Sequence, residues 1–550
     1  MPRTPLARLL REMYVVAGAS QYNQVSIEKV IKERQEKRKI MLERLGNGSV
    51  SSKEEPEAAV KANEGLQPVS RQLSASPPRI VIVGAGLAGL TCAYRLKQAG
   101  YAAIIYEADD KPAAGRCSTR YGDFDEGQVA ERGGMLIDTG HRAIRRLARE
   151  MRLKLTDLLA AEPPGTEPCY YFDGQPYTFA EAAEDFKAVL PKLNRDLQLA
   201  GFPTLYDCRT KRAFELDHMS VTDWIEASVP GGMSSKFGRL VDIACTIEYG
   251  AESSSQSALN FLYLHGLLEE ADAFRMFGLS DERFHIRGGN EQLMHRLAEK
   301  LDEQNIARGH RLVSMTENAD GSYKLAFQHD GAIVDVEADK VVMTVPFSIL
   351  RSSVDISQAG FKPLKLEAIQ ELGMGTNSKL HLQFADRHWL SLGSNGDTIA
   401  DTGYQNTFDV VRGQPGTAGM LVDYTGGIIG EGMITGTAEE RAMQFLQQIE
   451  PVLPGLSAKW NGKAARDYWL GNPYSLGSYS YRKIGQYTKF GGIEGAREGI
   501  RGSCHFAGEH TSIEFQGYMN GAVESGERAA QEIIGDLKND SRLDLKNEHP

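Results

Sequence analysis

The fold is decided by one stretch, residues 79–107, which reads RIVIVGAGLAGLTCAYRLKQAGYAAIIYE. Its first five residues form an apolar run without polar alternation, which is typical of a strand buried on both faces in a parallel sheet. A helical segment over residues 90–99 follows, and a second apolar strand over residues 102–106 ends at Glu107. The order strand, glycine turn, helix, strand and acid predicts a dinucleotide-binding unit.

The glycines of the turn have different predicted tasks. Gly84 permits the tight turn, Gly86 lets the backbone approach a pyrophosphate, and Gly89 allows the helix to pack closely. The helix N-terminus adds partial positive charge, and Glu107 can accept hydrogen bonds from an adenosine ribose. The motif predicts a bound dinucleotide but does not by itself separate FAD from NAD.

Composition excludes several classes of protein. The 550 residues are 41% hydrophobic and 25% charged, as in a globular protein with a large core. A net charge of −11 argues against nucleic acid as a partner, and no apolar run is long enough to span a membrane. The cysteines and histidines show neither C-x-x-C nor H-E-x-x-H spacing, so no metal site is expected. These features predict a soluble, cytoplasmic protein.

Four later segments carry further structural predictions. Residues 284–289 and the strand at residues 340–345 are expected to return to the nucleotide-binding sheet. Residues 379–384 alternate strictly, which predicts a half-buried antiparallel strand with Lys379 on its polar face. Near the end, apolar positions predict a helix from about residue 517 to residue 537.

Other motifs bring a resemblance to a known family. Gly115-Arg116 and Glu131-Arg132-Gly133-Gly134 resemble two flavin-side motifs of the flavin-containing amine oxidases, which include monoamine, polyamine and L-amino-acid oxidases. The likeness covers about residues 79–534. It recurs at Lys379, Trp469, Gly477-Ser478-Tyr479-Ser480, Phe506-Ala507-Gly508-Glu509 and Gly517-Tyr518-Met519-Asn520-Gly521-Ala522. The resemblance implies FAD rather than NAD.

The fold implied is mixed α/β, with a Rossmann-like FAD-binding domain interleaved with a substrate domain of an antiparallel sheet and helices. An N-terminal helical arm precedes them, and its charged run without an apolar face is typical of a solvated helix or of one packed against a partner. The predicted boundaries are 1–77 for the arm and linker, 78–160, 281–350 and 463–537 for the FAD-binding domain, 161–280 and 351–462 for the substrate domain, and 538–550 for a polar tail.

The resemblance also implies the cofactor-binding residues. Arg116 would neutralise pyrophosphate charge, Val313 would offer backbone groups to the adenine end, and Glu509 would bind the ribityl chain. The helix beginning near residue 517 would aim its amides at the flavin pyrimidine ring. The complete set is Gly84, Gly86, Gly89, Glu107, Gly115, Arg116, Gly134, Val313, Gly508, Glu509 and Met519.

Three residues are implied in catalysis. Tyr479 and Tyr518 match the family's aromatic cage around the substrate nitrogen, and Lys379 matches a lysine that holds a water against flavin N5 and assists the reaction with oxygen. The implied reaction moves a hydride from the α carbon of an amine to the flavin and yields an aldehyde, ammonia and hydrogen peroxide. Taken alone, each tyrosine is better interpreted as an ordinary core residue, and the lysine could equally be solvated; the match of both tyrosines to family motifs favours the cage.

Two residues depart from the family's pattern, and they narrow the expected cofactor attachment and substrate class. Ser478 stands where monoamine oxidases carry the cysteine that bonds to the flavin, so FAD is expected to be non-covalent. Leu136 stands where L-amino-acid oxidases usually have an arginine that grips the substrate carboxylate, which favours an amine without a carboxylate.

Alternatives remain open from the sequence. Arg287 or Arg412 could reach the site from a loop, so an L-amino-acid oxidase producing a 2-oxo acid is the closest alternative. A flavin-binding protein without oxidase turnover is a further one. Small-molecule amines or amino acids and O2 are the expected partners, and a homodimer is compatible with the family.

Overall fold

The computed structural model describes residues 77–112, 115–266 and 280–547, with side chains described up to residue 539. The predicted arm and the polar end of the tail lie outside the described residues. Strands β1 to β22 span Ile80–Val83, Ile104–Tyr106, Thr119–Arg120, Ala130–Glu131, Leu155–Asp157, Glu167–Phe172, Gln175–Tyr177, Phe284–Ile286, Ile306–Ala307, Arg311–Glu317, Tyr323–His329, Ala332–Ala338, Lys340–Met343, Asp355–Gln358, Gly373–Met374, Ser378–Phe384, Ser394–Ala400, Asn406–Asp409, Gly419–Thr425, Trp460–Tyr468, Ser480–Tyr481 and Cys504–Phe506.

Helices α1 to α15 span Leu87–Gln98, Arg142–Glu150, Phe179–Ala200, Lys211–Asp217, Val221–Ser228, Lys236–Tyr249, Ala258–His265, Gln292–Lys300, Phe347–Ser353, Pro363–Glu371, His388–Ser391, Gly427–Gly432, Ala438–Ile449, Gln486–Phe490 and Met519–Asn547. Within the described part of the chain, no helix combines the length and the apolar sequence needed to cross a membrane.

The nucleotide-binding sheet is parallel, with strand order β22-β13-β1-β2-β9. All of β1 is buried. Ile80 and Ile82 point into one hydrophobic core, and Val81 and Val83 point into another on the opposite face of the sheet. The prediction of a strand buried on both faces is therefore confirmed, because the lack of polar alternation left neither face for water.

Helices α1 and α15 cover one face of this sheet and pack against each other. Leu90 and Leu96 of α1 share a core with Val523 and Ala530 of α15. Helix α15 continues to Asn547 instead of ending near Leu537. Residues 538–547 contain neither glycine nor proline, so nothing in the sequence stops the helix at the predicted point.

One predicted return to the nucleotide-binding sheet is confirmed and the other is wrong. Strand β13 pairs with β1 and β22. Strand β8, at residues 284–286, pairs instead with β5, and Phe284 also bonds to Ile137 through its backbone. A short apolar run predicts a strand but does not specify which strand it joins. The edge of the parallel sheet is taken by β9.

The second large sheet has strand order β20-β16-β19-β18-β17-β6-β7 and is antiparallel apart from the β17–β6 pair. The mixed α/β class with a Rossmann-like sheet and an antiparallel sheet beside helices is therefore confirmed. The parallel sheet draws strands from residues 80–106, 306–343 and 504–506. The exact domain boundaries stay a prediction.

The prediction that β16 is half-buried is wrong, because every residue on both faces of this strand is buried. The face with Leu380 and Leu382 joins an apolar core. The opposite face, with Lys379 and Gln383, is covered by residues 125–133: Gln383 accepts a hydrogen bond from the Asp125 amide at 2.9 Å. The strict alternation of polar and apolar residues therefore predicted a polar face correctly, but protein backbone rather than solvent covers that face.

Candidate active site

The glycine turn after β1 is built by close backbone approaches. Gly84 has φ +105°, and a Cβ there would lie 2.5 Å from Thr344 Oγ1. A Cβ at Gly89 would lie 2.0 Å from the Gly84 carbonyl oxygen, whereas no described atom lies within 4 Å of a Cβ at Gly86. Gly84 and Gly89 therefore allow packing, and Gly86 faces open space at the N-terminus of α1, where backbone N–H groups favour an anion.

Glu107 ties the end of β2 to this turn. Its carboxylate accepts hydrogen bonds from the Ala85 amide at 2.6 Å and from the Asp109 amide at 2.8 Å. Burial raises the pKa of the Glu107 carboxyl above its ordinary value, while the N–H groups of Asp109 and Ala85 act against that rise. The acid therefore stands beside the glycine turn, as a dinucleotide-binding unit requires.

Arg116 and Glu509 form an ion pair that joins distant segments. Arg116 Nη1 donates to Glu509 Oε1 at 2.8 Å and to the Ser478 carbonyl at 2.8 Å. The other Glu509 oxygen accepts from Ser480 Oγ at 2.7 Å and from the Gly517 amide at 2.8 Å. Burial alone would raise the pKa of Glu509, but the charge of Arg116 and these hydrogen bonds hold it below its ordinary value. The family resemblance implies that Arg116 contacts the pyrophosphate and Glu509 the ribityl chain, and in the structure these two side chains form an ion pair with each other.

Gly134 and Met519 are in direct contact at the start of α15. A Cβ at Gly134 would lie 2.7 Å from Met519 Cγ, so the methionine side chain would have to shift to admit one. Asn290, which the sequence analysis missed, donates from Nδ2 to the Gly134 carbonyl at 2.9 Å and to the Met135 carbonyl at 2.8 Å. Gly508 is fixed to the same helix because its amide donates to Ser525 Oγ at 2.8 Å.

Lys379 is buried and points at backbone oxygens. Its Nζ donates to the Gly133 carbonyl at 2.6 Å and to the Glu131 carbonyl at 3.1 Å. Burial lowers the pKa of Lys379 to about 8, against the opposing effect of Glu131 and Asp467. The lysine is thus neither solvated nor locked in one charge state near neutral pH.

Two of the predicted catalytic residues are connected through Glu248. The Tyr518 hydroxyl donates to Glu248 Oε1 at 2.8 Å, and the Tyr479 hydroxyl donates to the Glu248 backbone carbonyl at 2.7 Å. The Tyr424 hydroxyl lies 2.8 Å from that of Tyr479. We call Tyr424, Tyr479, Tyr518 and Glu248 the tyrosine network. Burial, the largest cause, raises the pKa of Tyr479 well above its ordinary value, so it stays protonated.

A single cavity of about 1080 Å³ brings these parts together. Gly89 and Val313 are the predicted site residues that do not line it. Gly89 packs beneath the turn, and Val313 sits at a bulge in β10 whose neighbours Arg311 and Leu312 do line the cavity. The predicted residues on its wall are Gly84, Gly86, Glu107, Gly115, Arg116, Gly134, Lys379, Tyr479, Gly508, Glu509, Tyr518 and Met519.

The sequence analysis missed Glu248 and Tyr424 on the cavity wall. Tyr424 is the register partner of Lys379 across β16 and β19, and Glu248 stands at the last turn of α6. Neither lies in a recognisable motif, so only the pairing of strands could have pointed to Tyr424. Tyr249 also lines the cavity.

The cavity residues fit a bound dinucleotide. Gly86 and Gly115 lie next to each other, since a Cβ at Gly115 would lie 3.4 Å from Gly86 Cα. Glycine at both positions leaves the backbone accessible to a pyrophosphate, with Arg116 beside it.

Comparison with known proteins agrees with this geometry. A relative from Arabidopsis thaliana, lysine-specific histone demethylase 1 homolog 1, is 27% identical over 86% of this chain, which spans about half (54%) of that protein. The putative L-amino-acid oxidase YobN of Bacillus subtilis is 25% identical, with 84% of this chain and 96% of that protein covered. The structure of cyclohexylamine oxidase from Brevibacterium oxydans has a TM-score of 0.71 at 20% identity, covering 84% of this chain and 100% of its own.

The family profile described as flavin containing amine oxidoreductase matches residues 87–534. That range begins at the first residue of α1 and runs into α15. It includes the tyrosine network and the predicted cofactor residues from Gly89 onward, whereas Gly84 and Gly86 precede it. The chain therefore belongs to the flavin-containing amine oxidoreductases, and its cofactor is FAD.

Proposed function

We propose that this protein oxidises a primary amine, with dioxygen and water, to an aldehyde, ammonia and hydrogen peroxide. When bound, FAD would supply an acceptor for a hydride from the carbon next to the nitrogen and a route for the electrons to oxygen. The chain contributes the orientation of the amine, a dry cavity, and groups that hold protons.

The tyrosine network supports the orienting role. Both predicted substrate tyrosines have their hydroxyl groups hydrogen-bonded to Glu248, and the Tyr518 ring also lies edge-on to His141 at a centroid distance of 5.0 Å. These contacts restrict the movement of both side chains before a substrate arrives. Their π faces attract a cationic or partly positive amine.

Lys379 is proposed to act on the oxygen side of the reaction. Its Nζ is held at the cavity wall by the Gly133 and Glu131 carbonyls, which fixes the position of its proton. With a pKa lowered by burial to about 8, the group gains or loses that proton readily near neutral pH.

We choose an amine over an amino acid because the Arg412 guanidinium is already paired with two carboxylates. This arginine lines the cavity, but it donates to Glu162 at 2.8 Å and to Asp397 at 3.1 Å. Leu136 lines the cavity with an apolar side chain, and Arg287 is exposed and outside the lining. A substrate carboxylate would have to displace Glu162 or Asp397 to reach Arg412, which is costly in a buried site.

A peroxide-coupled assay with primary amines and the amino acids that share their side chains tests this proposal. We expect peroxide with amines and at most a minor rate with amino acids. Activity confined to free L-amino acids would replace the proposal with the second candidate, an L-amino-acid oxidase, which the similarity to the Bacillus subtilis relative favours.

Two further measurements complete the test. Acid precipitation is expected to release FAD into the supernatant, because Ser478 cannot form a thioether; colour left in the pellet would show an attachment elsewhere.

Mixing the holoenzyme anaerobically with a substrate amine is expected to bleach the flavin. A spectrum that stays oxidised with every amine and amino acid would identify a flavin-binding protein without turnover.

A further inference from the structure

Asp467 lies beside Lys379 on the cavity side of the second large sheet. In the register of β20 against β16, Asp467 is the direct partner of Lys379, and both residues line the cavity. Directly opposite residues of antiparallel strands point to the same side of the sheet, with Cβ atoms about 5 Å apart. The Asp467 carboxylate therefore stands next to the amine that is proposed to act on the oxygen side of the reaction.

Asp467 also fastens a hairpin to this sheet. We call residues 119–133, which contain β3 and β4, the β3–β4 hairpin. Arg120 donates to both Asp467 oxygens, from Nε at 2.8 Å and from Nη2 at 2.7 Å, and Arg132 Nη1 donates to one of them at 3.4 Å. The Arg120 side chain is 11% exposed and the Asp467 side chain 8%. A buried two-point contact of this kind fixes where the hairpin lies on the sheet.

The end of the β3–β4 hairpin supplies the carbonyls that hold Lys379. Lys379 Nζ donates to the carbonyls of Glu131 and Gly133. Trp469, which follows β20 directly, donates from Nε1 to the Arg132 carbonyl between them at 2.9 Å. Three consecutive carbonyls are thus held by side chains from β16 and from the end of β20. The position of the Lys379 Nζ depends on the position of this hairpin.

We propose that Asp467 is a positioning residue for Lys379. It holds the hairpin whose carbonyls fix the Nζ, and its negative charge keeps the Nζ protonated up to a higher pH. Arg120 opposes the second effect, because its guanidinium binds the same carboxylate and neutralises part of the charge. The inference rests on the proposed oxygen-side role of Lys379 and names the group that sets the charge of this lysine.

Two carboxylates act on the charge of Lys379. Burial lowers the pKa of Lys379 to about 8, while Glu131 and Asp467 act to raise it. The Glu131 carboxylate is directed to other donors, since it accepts from His285 Nε2 and from the Asn290 amide, each at 2.8 Å. Asp467 is the carboxylate that faces Lys379 across the sheet.

The remaining neighbours of Lys379 on the sheet carry no charge near neutral pH. His381 is two residues further along β16, and its Nδ1 lies 3.9 Å from Asp467 Oδ2. Burial, followed by the charge of Lys379, lowers the pKa of His381 well below its ordinary value. The Tyr424 ring lies 5.9 Å from the Lys379 Nζ, and burial raises the pKa of its hydroxyl. Both side chains therefore stay neutral while Lys379 titrates.

A purely structural role for Asp467 makes a different prediction. If Asp467 only fastens the hairpin, its replacement leaves the pH at which Lys379 titrates unchanged. Asp467→Asn keeps an oxygen that can accept from Arg120 and removes the charge. Asp123→Asn is the matched control, because Asp123 is the other carboxylate bound to Arg120, at 2.7 Å, and its side chain is 38% exposed.

The experiment measures the protonation of Lys379 in the FAD holoenzyme without turnover. Acetic anhydride reacts with a neutral amine and not with an ammonium group. Its rate of reaction with Lys379 is followed by mass spectrometry from about pH 6 to about pH 10, which gives the midpoint of the titration. The pH profile of the oxygen half-reaction is measured on the same variants.

In Asp467→Asn, we expect the Lys379 midpoint to fall by about one pH unit, because the ammonium group loses a stabilising charge. Asp123→Asn should keep the midpoint within about 0.2 pH units, since its charge is screened by solvent. Arg120→Gln should raise the midpoint, because the Asp467 charge is no longer neutralised. This opposite shift answers the question if Asp467→Asn does not fold.

Several outcomes would overturn the inference. They are an unchanged midpoint in Asp467→Asn, an equal fall in Asp123→Asn, a lowered or unchanged midpoint in Arg120→Gln, and a wild-type Lys379 whose acetylation shows no midpoint. Failure of the proposed function gives a different result. If the acetylation midpoint moves as expected but the rate of the oxygen half-reaction does not follow it, Asp467 still sets the charge of Lys379, and the lysine has no oxygen-side role.

Discussion

The two ends of the cavity are built by different means. The dinucleotide end is made of backbone, where Gly84 and Gly89 allow close approaches that any side chain would alter and Gly86 faces open space. The amine end is made of side chains from separate elements, where Tyr424 and Tyr479 meet only because β19 and the chain before β21 converge. Changes at the first end should alter cofactor retention, and changes at the second should alter turnover while FAD stays bound.

The largest effect is expected from Gly89→Ala at the backbone-built end. The new Cβ would lie 2.0 Å from the Gly84 carbonyl oxygen, so α1 must move away from the turn. We expect a loss of about 3 kcal/mol or more in the free energy of unfolding and a colourless protein. Thermal unfolding and the absorbance of the purified protein measure both.

Gly86→Ala sharpens the same comparison, because a Cβ there meets no described atom within 4 Å. The stability of the apoprotein is expected to stay within about 0.5 kcal/mol of wild type, while FAD binding weakens. Equal destabilisation by both substitutions would contradict the assignment of Gly89 to packing and Gly86 to the cofactor.

Lys379→Met tests whether this lysine, which lies between the two ends of the cavity, acts in the oxygen half-reaction. We expect the oxygen half-reaction to slow by about 100-fold and the amine half-reaction to change little, as stopped-flow spectra of each would show. Equal slowing of both would contradict an oxygen-side role.

The pH dependence of the oxygen half-reaction gives a second readout for Lys379. The pKa of about 8 means that Lys379 is charged below pH 8 and neutral above it. If the positive charge assists oxygen reduction, the wild-type rate falls as pH rises through 8, and Lys379→Met shows no such fall. A fall of the same size in the variant would assign it to another group.

Tyr518→Leu removes the ring at the side-chain-built end. An aromatic face in a dry site contributes about 2 kcal/mol to an amine cation, so kcat/KM should fall about 30-fold. FAD content, measured by the ratio of flavin to protein absorbance, should match wild type. Loss of both FAD and activity would show that the dinucleotide end and the amine end of the cavity do not act separately.

The smallest effect is expected from Tyr424→Phe, which removes the hydroxyl 2.8 Å from that of Tyr479 and leaves the ring in place. A single hydrogen bond of about 1 kcal/mol corresponds to a fall of about fivefold in kcat/KM. Steady-state kinetics with one amine measures the fall. A fall larger than that of Tyr518→Leu would place the main orienting contact at Tyr424.

The difference between the ends also explains what the sequence could predict. The unit from β1 to Glu107 was predicted within a few residues, because strand, turn and helix are encoded by neighbours. Glu107 was found because it follows its strand directly. Tyr424 could not be found this way, since its position depends on the register of β19 against β16.

Burial and strand partners were the less predictable part of the fold. The alternation in β16 indicated a polar face correctly, but residues 125–133 cover that face with backbone carbonyls, which attract Lys379 instead of water. The partner of β8 was wrong for a related reason. A three-residue apolar strand carries no information about which edge accepts it.

The Arg116–Glu509 pair has a consequence for biosynthesis. Glu509 and the edge strand Cys504–Phe506 reach the site only after nearly four hundred intervening residues (|i−j| of 393) have been made. A chain still emerging from the ribosome presents the glycine turn early, yet it cannot complete the neighbouring wall until that late segment arrives. We therefore expect the complete cradle to capture its cofactor only after the segment with Glu509 has been made, so flavin supplied earlier in synthesis should matter less than flavin supplied later.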